Sequence, residues 1–233
     1  LVVFPEMAFS GFSMDAPTDE GAEEFLAGLA RRNGQAIVAG YVGGANEEGK
    51  RTNLAAAFGP DGVQLARYAK LHPFSYAGEE RHYAPGSDPA LFEFGGLRIA
   101  LAICYDLRFP ELFRIAAHRS DLFVVPANWP ARRGHAWRTL LKARAMDAQA
   151  WVVGVNRVGR DGRGIGHCGD STIVDPNGEV VATVADREDL VSADIDSARV
   201  TAVRERYGFL ADRRPGRPAG GRVRRSSCAP GLP

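Results

Sequence analysis

Lysine is nearly missing from this chain of 233 residues. Of its 29 basic residues only Lys50, Lys70 and Lys142 are lysines, and 26 are arginines. Codon bias toward Arg is the plain account of the imbalance. Even so, a lysine kept in such a chain is a candidate for chemistry that the planar, permanently charged guanidinium does poorly. Cysteine is scarce as well: Cys104, Cys168 and Cys228 form no CxxC pair. An odd count argues against a disulfide framework and fits a reducing cytoplasm. The longest apolar runs are strand-sized, such as residues 99–104, far short of the roughly 20 residues of a membrane helix. GxxxxGK[ST] does not occur, and the glycines around Asp161-Gly162 resemble a phosphate loop only in composition, so nucleotide binding has no support. There is no secretory signal, and the chain opens with Leu1 in a strand-like run, which reads as a missing N-terminus rather than a processed one.

The net charge of +1 conceals an uneven distribution. Residues 1–211 carry 23 Lys and Arg against 27 Asp and Glu, while residues 212–233 carry six Arg and one Asp. A mildly acidic body gives no charge argument for nucleic acid as partner. The basic end is rich in Arg, Gly and Pro, and residues 216–233 are expected to be a disordered tail.

Along the chain, strand and helix patterns intermix. Residues 1–4, 36–42, 52–58 and 63–69 read as strands, and 18–33 as a helix capped by Thr18, with Ala22, Phe25, Leu26 and Leu29 on one face. Residues 71–89 lack a period and read as a long loop. A hairpin (91–94 with 97–103), a helix over 110–119, a strand over 122–125, a helix over 135–150 and a strand over 151–155 follow. A Gly-rich loop spans 159–169. A second hairpin covers 171–174 and 179–184, residues 190–195 form a closing strand, and 197–206 a short helix. Hairpins outnumber βαβ crossovers, which points to an α/β chain with a mixed sheet and outer helices.

Three reactive residues end strands: Glu6, Lys70 and Cys104. A carboxylate within reach of a thiol can take its proton, and an ammonium beside both can stabilise an oxyanion. Backbone N–H groups at a strand-to-helix turn favour thiolate. From spacing alone, a buried structural cysteine and salt-bridge or solvated roles for Glu6 and Lys70 are the plainer account. A Cys/His pair using His72, His135 or His167 is a competing arrangement. His167 with Cys168 has no second ligand pair at zinc spacing, so no metal site is assigned.

The segments carrying these residues are Val3-Phe4-Pro5-Glu6, Tyr68-Ala69-Lys70-Leu71-His72 and Cys104-Tyr105-Asp106-Leu107-Arg108-Phe109-Pro110-Glu111. In this order they resemble the hallmark segments of the nitrilase superfamily of carbon–nitrogen hydrolases. The resemblance covers residues 1–215 and implies an α-β-β-α sandwich, associating through helices as a homodimer or higher homo-oligomer. It implies Glu6 as general base, Lys70 as oxyanion support and Cys104 as nucleophile. Glu79, seven residues before Gly86, matches the family's additional active-site glutamate. No metal or organic cofactor is implied.

Ala127-Asn128-Trp129-Pro130, Asn156-Arg157-Val158-Gly159, Gly169-Asp170-Ser171 and Pro176-Asn177-Gly178-Glu179 are similar to the bacterial ω-amidase (2-oxoglutaramate amidase) branch. That likeness implies a small-molecule ω-amide of an α-keto acid as substrate, with Tyr105, Arg108, Asn128 and Trp129 as binding residues. Arg108 is the candidate for the substrate carboxylate, set against an ion pair with Glu111 or a neighbour. N-carbamoyl compounds and nitriles are alternative substrates within the superfamily. Members of the family open with a strand and a helix ahead of the Phe-Pro-Glu segment, and neither is found here. The resemblance therefore implies either a fragment of a working enzyme or a catalytically silent fold.

Overall fold

The computed structural model describes residues 1–214; the expected tail over 216–233 and Cys228 lie outside the described residues. Two mixed sheets stack face to face. The first has the order β1 (Val2–Val3), β2 (Ile37–Gly43), β3 (Arg51–Phe58), β4 (Gln64–Ala69), with β5 (Tyr83–Ala84) also pairing with β3. The second runs β10 (Val158–Arg160), β11 (Gly166–Val174), β9 (Trp151–Asn156), β8 (Leu122–Ala127), β7 (Leu97–Leu101), β6 (Leu91–Phe94), with β12 (Val180–Ala185) on β11. Strands β7, β8 and β9 are parallel at its centre, and hairpins flank them.

The two-residue strand period builds the layers. Ile37, Ala39 and Tyr41 of β2, with Leu54, Ala56 and Phe58 of β3, pack outward on α1 (Ala22–Asn33). The alternate residues Val38, Ala55 and Ala57 join the core shared with β7, β8 and β9. α3 (Pro110–Ala116) and α4 (Gly134–Ala148) cover the outer face of the second sheet, α4 against β9 and β11. This is the expected α-β-β-α sandwich.

Several local expectations need correction. α1 starts at Ala22 and not at residue 18, with Gly21 as its cap. The segment before it is tied to β2 instead: the Asp19 carboxylate accepts the Val42 N–H at 2.7 Å, and Asp19 N–H returns to the Val42 carbonyl. Phe25 turns outward, 51% exposed, edge-on to Phe9. The loop over 71–89 contains a short helix, α2 (Glu79–His82), whose first residue is buried. The Gly-rich stretch is the hairpin of β10 and β11, turned by Asp161, whose carboxylate accepts the Arg163 and Ile165 N–H groups. Residues 190–195 are not a strand, because their backbone finds no ladder partner among the described residues. They run beside β1, bordering an open groove of about 440 Å³ over Leu97, Ile99, Val124 and Val153. The last helix, α5 (Ser197–Arg206), is capped by the Asp196 carboxylate on the Arg199 N–H.

Candidate active site

Glu6, Lys70 and Cys104 meet where the two sheets face each other. Glu6 follows β1, Lys70 follows β4, and Cys104 lies three residues past β7. Each is delivered by a specific backbone device. Glu6 rests against Gly40 of β2, where a Cβ would lie 2.6 Å from the Glu6 Cα. Lys70 is clasped by Gly86, whose N–H donates to the Lys70 carbonyl and where a Cβ would lie 2.3 Å from the Ala69 oxygen. Only glycine permits either approach. Cys104 itself has φ +45°, a left-handed conformation rare for a side chain of its kind and found at sharp functional turns.

Asp106 holds that turn. Its buried carboxylate accepts the Ile103 N–H at 2.9 Å, the Tyr68 hydroxyl at 2.8 Å and the His72 N–H at 3.0 Å, and meets His72 Nδ1 at 2.8 Å. Tyr68 and His72 flank Lys70, so one carboxylate ties the lysine segment to the cysteine turn. His72 stacks on Phe109 at 3.8 Å, which leaves it facing Asp106 and not the thiol.

The polar centre is almost fully enclosed. Lys70 Nζ donates to Glu6 Oε1 at 2.8 Å and to Glu79 Oε2 at 2.9 Å, and all three side chains are at most 1% exposed. Asn53 Nδ2 donates to both carboxylates at 2.8 Å. Asn128 closes the other side: its N–H donates to Glu6 Oε2 at 2.9 Å, and its side-chain amide to the Glu6 carbonyl at 2.6 Å. The neighbouring Trp129 is fixed through Asn156, whose Oδ1 accepts the Trp129 N–H at 2.7 Å.

Burial pushes the Glu6 carboxyl up, but the Lys70 ammonium and the hydrogen bonds from Lys70, Asn53 and Asn128 hold it below its ordinary value. Burial pushes the Cys104 thiol well above its ordinary value, and the Glu6 charge adds to that, outweighing Lys70 and the Asn128 N–H. These shifts favour a charged carboxylate beside a neutral thiol. The Asn128 backbone N–H favours the thiolate in the expected direction, but enclosure outweighs it. Lys70 stays an ammonium: burial opposes its charge, but Glu6, Glu79 and Cys104 raise its affinity for the proton.

The Cys104 thiol opens on a cavity of about 220 Å³. Tyr105, Arg108, Asn128 and Trp129, the four expected binding residues, all line it. Arg108 forms no ion pair with Glu111 among the described residues; its guanidinium lies over Trp129 at 5.1 Å. The remaining histidine-based arrangements do not assemble. His167 lies on the cavity wall with Nδ1 toward the Ile165 carbonyl, and Cys168 Sγ donates to Asp170. No group of three metal-ligating side chains occurs among the described residues.

Sequence reasoning missed Asn53, Phe74 and Arg133, and quoted Asn156 within a motif segment without giving it a role. Asn53 sits mid-strand with nothing in its spacing to mark it, whereas Asn156 could have been found as the polar end of an otherwise apolar strand.

The carbon-nitrogen hydrolase family profile matches residues 1–205. The chain is 37% identical over 216 residues to Omega-amidase YafV of Escherichia coli K12, covering 91% of this chain and 83% of that protein. It is 32% identical over 221 residues to 2-oxoglutaramate amidase of Bacillus subtilis 168, covering 91% and 84%. Its fold superposes with a TM-score of 0.82 on the crystal structure of XC1258 from Xanthomonas campestris, a CN-hydrolase superfamily protein with an arsenic adduct in its active site. That match has 32% identity over 91% of this chain and 84% of the other. On the three motif segments, the sandwich and these matches together, the chain belongs to the carbon–nitrogen hydrolase family of the nitrilase superfamily.

Proposed function

We propose that the protein is a cysteine amidase that converts the ω-amide of a small α-keto acid, such as 2-oxoglutaramate, to the carboxylate and ammonia. The observation that carries this reading is geometric: the Glu6 carboxylate, the Lys70 ammonium 2.8 Å from it and Cys104 meet in one buried centre, where Cys104 and Lys70 line the cavity. Glu6 takes the thiol proton as Cys104 Sγ attacks the amide carbon. Negative charge then develops on the carbonyl oxygen, where Lys70 and the Tyr105 N–H act as donors. Glu6 returns the proton to the leaving nitrogen, the C–N bond breaks, and ammonia departs from a thioester. Water attacks that thioester with Glu6 again as base, and the thiol is regenerated.

Glu79 acts one step back, holding Lys70 in place. Asn128 and Trp129 line the cavity, and Arg108 on the same wall is a partner for the substrate carboxylate. The names of the amidase relatives favour the ω-amide class. The reading includes residues 1–215 as the catalytic unit, working as a homo-oligomer in the cytoplasm. Exposed Ile115 and Met146 on the paired helices α3 and α4, and the unbridged Cys104 and Cys168, support these last two points. The test is ammonia release from 2-oxoglutaramate by the wild type and Cys104→Ala. Turnover is expected only in the wild type, and turnover retained by the variant overturns the mechanism.

A further inference from the structure

The cavity wall is rich in unpaired positive charge. Arg108, Arg132, Arg133 and Arg163 all line it, and none of their guanidinium groups meets a carboxylate among the described residues. The residues beyond, 215–233, contain no Asp or Glu. Asp161, the acidic residue on the same wall, is occupied by backbone N–H groups. Four cations without a carboxylate partner on one cavity wall repel one another, and an anionic ligand relieves that repulsion.

Arg133 differs from the other three. Arg108, Arg132 and Arg163 are exposed, whereas Arg133 is half-buried. Its backbone is fixed at both ends, by its N–H on the Pro130 carbonyl and by Trp129 Nε1 on its own carbonyl at 2.9 Å. Its guanidinium lies over the Phe74 ring at 4.9 Å. Packing against a ring orients the guanidinium and leaves its N–H groups unengaged by any side-chain acceptor. Burial, with Arg132 and Arg108 nearby, makes this cation less comfortable than an exposed one, while charge on Cys104 favours it, which sets it within electrostatic reach of the nucleophile.

We infer that Arg133 is a specificity-determining residue that receives the carboxylate at the far end of the substrate, with Arg108 as the second cation, so that the pocket selects ω-amides bearing an anionic terminus over neutral amides of the same length. The inference rests on the amidase reading above and adds to it the residue that reads the distal charge.

The test compares kcat/KM for glutaramate, a five-carbon amide with a terminal carboxylate, and for pentanamide, its neutral counterpart, in the wild type, Arg133→Met and Arg133→Lys. The wild type is expected to prefer glutaramate. A charge-assisted contact of this kind corresponds to a fall in that preference of about 10- to 100-fold in Arg133→Met, carried mainly by KM, with partial recovery in Arg133→Lys. An unchanged ratio in Arg133→Met overturns the inference, as does an equal loss on both amides, which is the signature of a structural role or of a field acting on Cys104. Calorimetric binding of glutarate keeps the inference separable from the amidase reading. If the wild type hydrolyses neither these amides nor 2-oxoglutaramate, the amidase reading fails, and Arg133 is then judged by whether Arg133→Met weakens glutarate binding by a similar factor. Equal glutarate affinities overturn it.

Discussion

Glu6 and Glu79 accept hydrogen bonds from the same two donors, the Lys70 ammonium and the Asn53 side-chain amide. Two buried carboxylates thus share one cation. The second negative charge keeps Lys70 from pairing with Glu6 alone, and so preserves the basicity that Glu6 needs as a proton acceptor.

Glu79→Gln removes that second charge with little change of shape. Lys70 then belongs to Glu6, which becomes a weaker base. The acid limb of the kcat/KM profile is expected to move to lower pH, with kcat reduced about 10- to 100-fold. A raised KM with unchanged kcat would instead make Glu79 a substrate contact.

Glu6→Gln separates reactivity from catalysis. The Glu6 charge is one of the forces raising the Cys104 thiol, while Lys70 lowers it. Without the carboxylate, Cys104 is expected to be alkylated by iodoacetamide about tenfold faster than in the wild type at pH 7, although amide hydrolysis is lost. Slower alkylation in the variant contradicts this electrostatic picture.

Glu6 also couples stability to acid. Its carboxyl is lower in the folded protein than its ordinary value of 4.5. Its contribution to stability is therefore complete above that value and disappears as pH falls through the folded-state value. Urea midpoints measured from pH 6 downward should fall more steeply for the wild type than for Glu6→Gln. Parallel curves would mean that other groups govern acid unfolding.

Gly40→Ala tests the close approach behind Glu6. The added Cβ would lie 2.6 Å from the Glu6 Cα and 2.8 Å from the Met7 nitrogen, both backbone atoms that cannot swing aside. A loss of about 1–3 kcal/mol in stability is expected, together with a marked drop in kcat. Gly44→Ala, one residue past the end of β2 with open space around it, is the control and should change neither. Equal behaviour of the two variants rejects the steric account.

The layers of this fold were readable from alternation: one face of β2 and β3 takes α1 and the other takes the second sheet. Segment ends were less readable. Thr18 has the chemistry of a helix cap, yet Asp19 beside it is held by Val42, a contact 23 residues away that no local rule contains. Residues 190–195 have a strand's composition but no ladder partner, and pairing is a tertiary property. At the site, Glu6, Lys70 and Cys104 stand in distinctive motifs, so they were visible. Asn53 was not, because its role depends on two glutamates brought from residues 6 and 79. Arg133 was hidden among 26 arginines, and its partial burial among exposed cations of the cavity wall, a tertiary property, is what sets it apart.

Glu6 and Lys70 follow strands of the first sheet, and Cys104 follows a strand of the second. Neither sheet alone therefore brings the carboxylate to the thiol. In a chain whose sheets have formed but not docked, Cys104 is an ordinary thiol with no base, while Lys70 keeps Glu6 and Glu79 but has no thiol beside it. Ammonia release during refolding consequently reports the joining of the two layers, and enzymatic assay doubles as a clock for the last step of assembly.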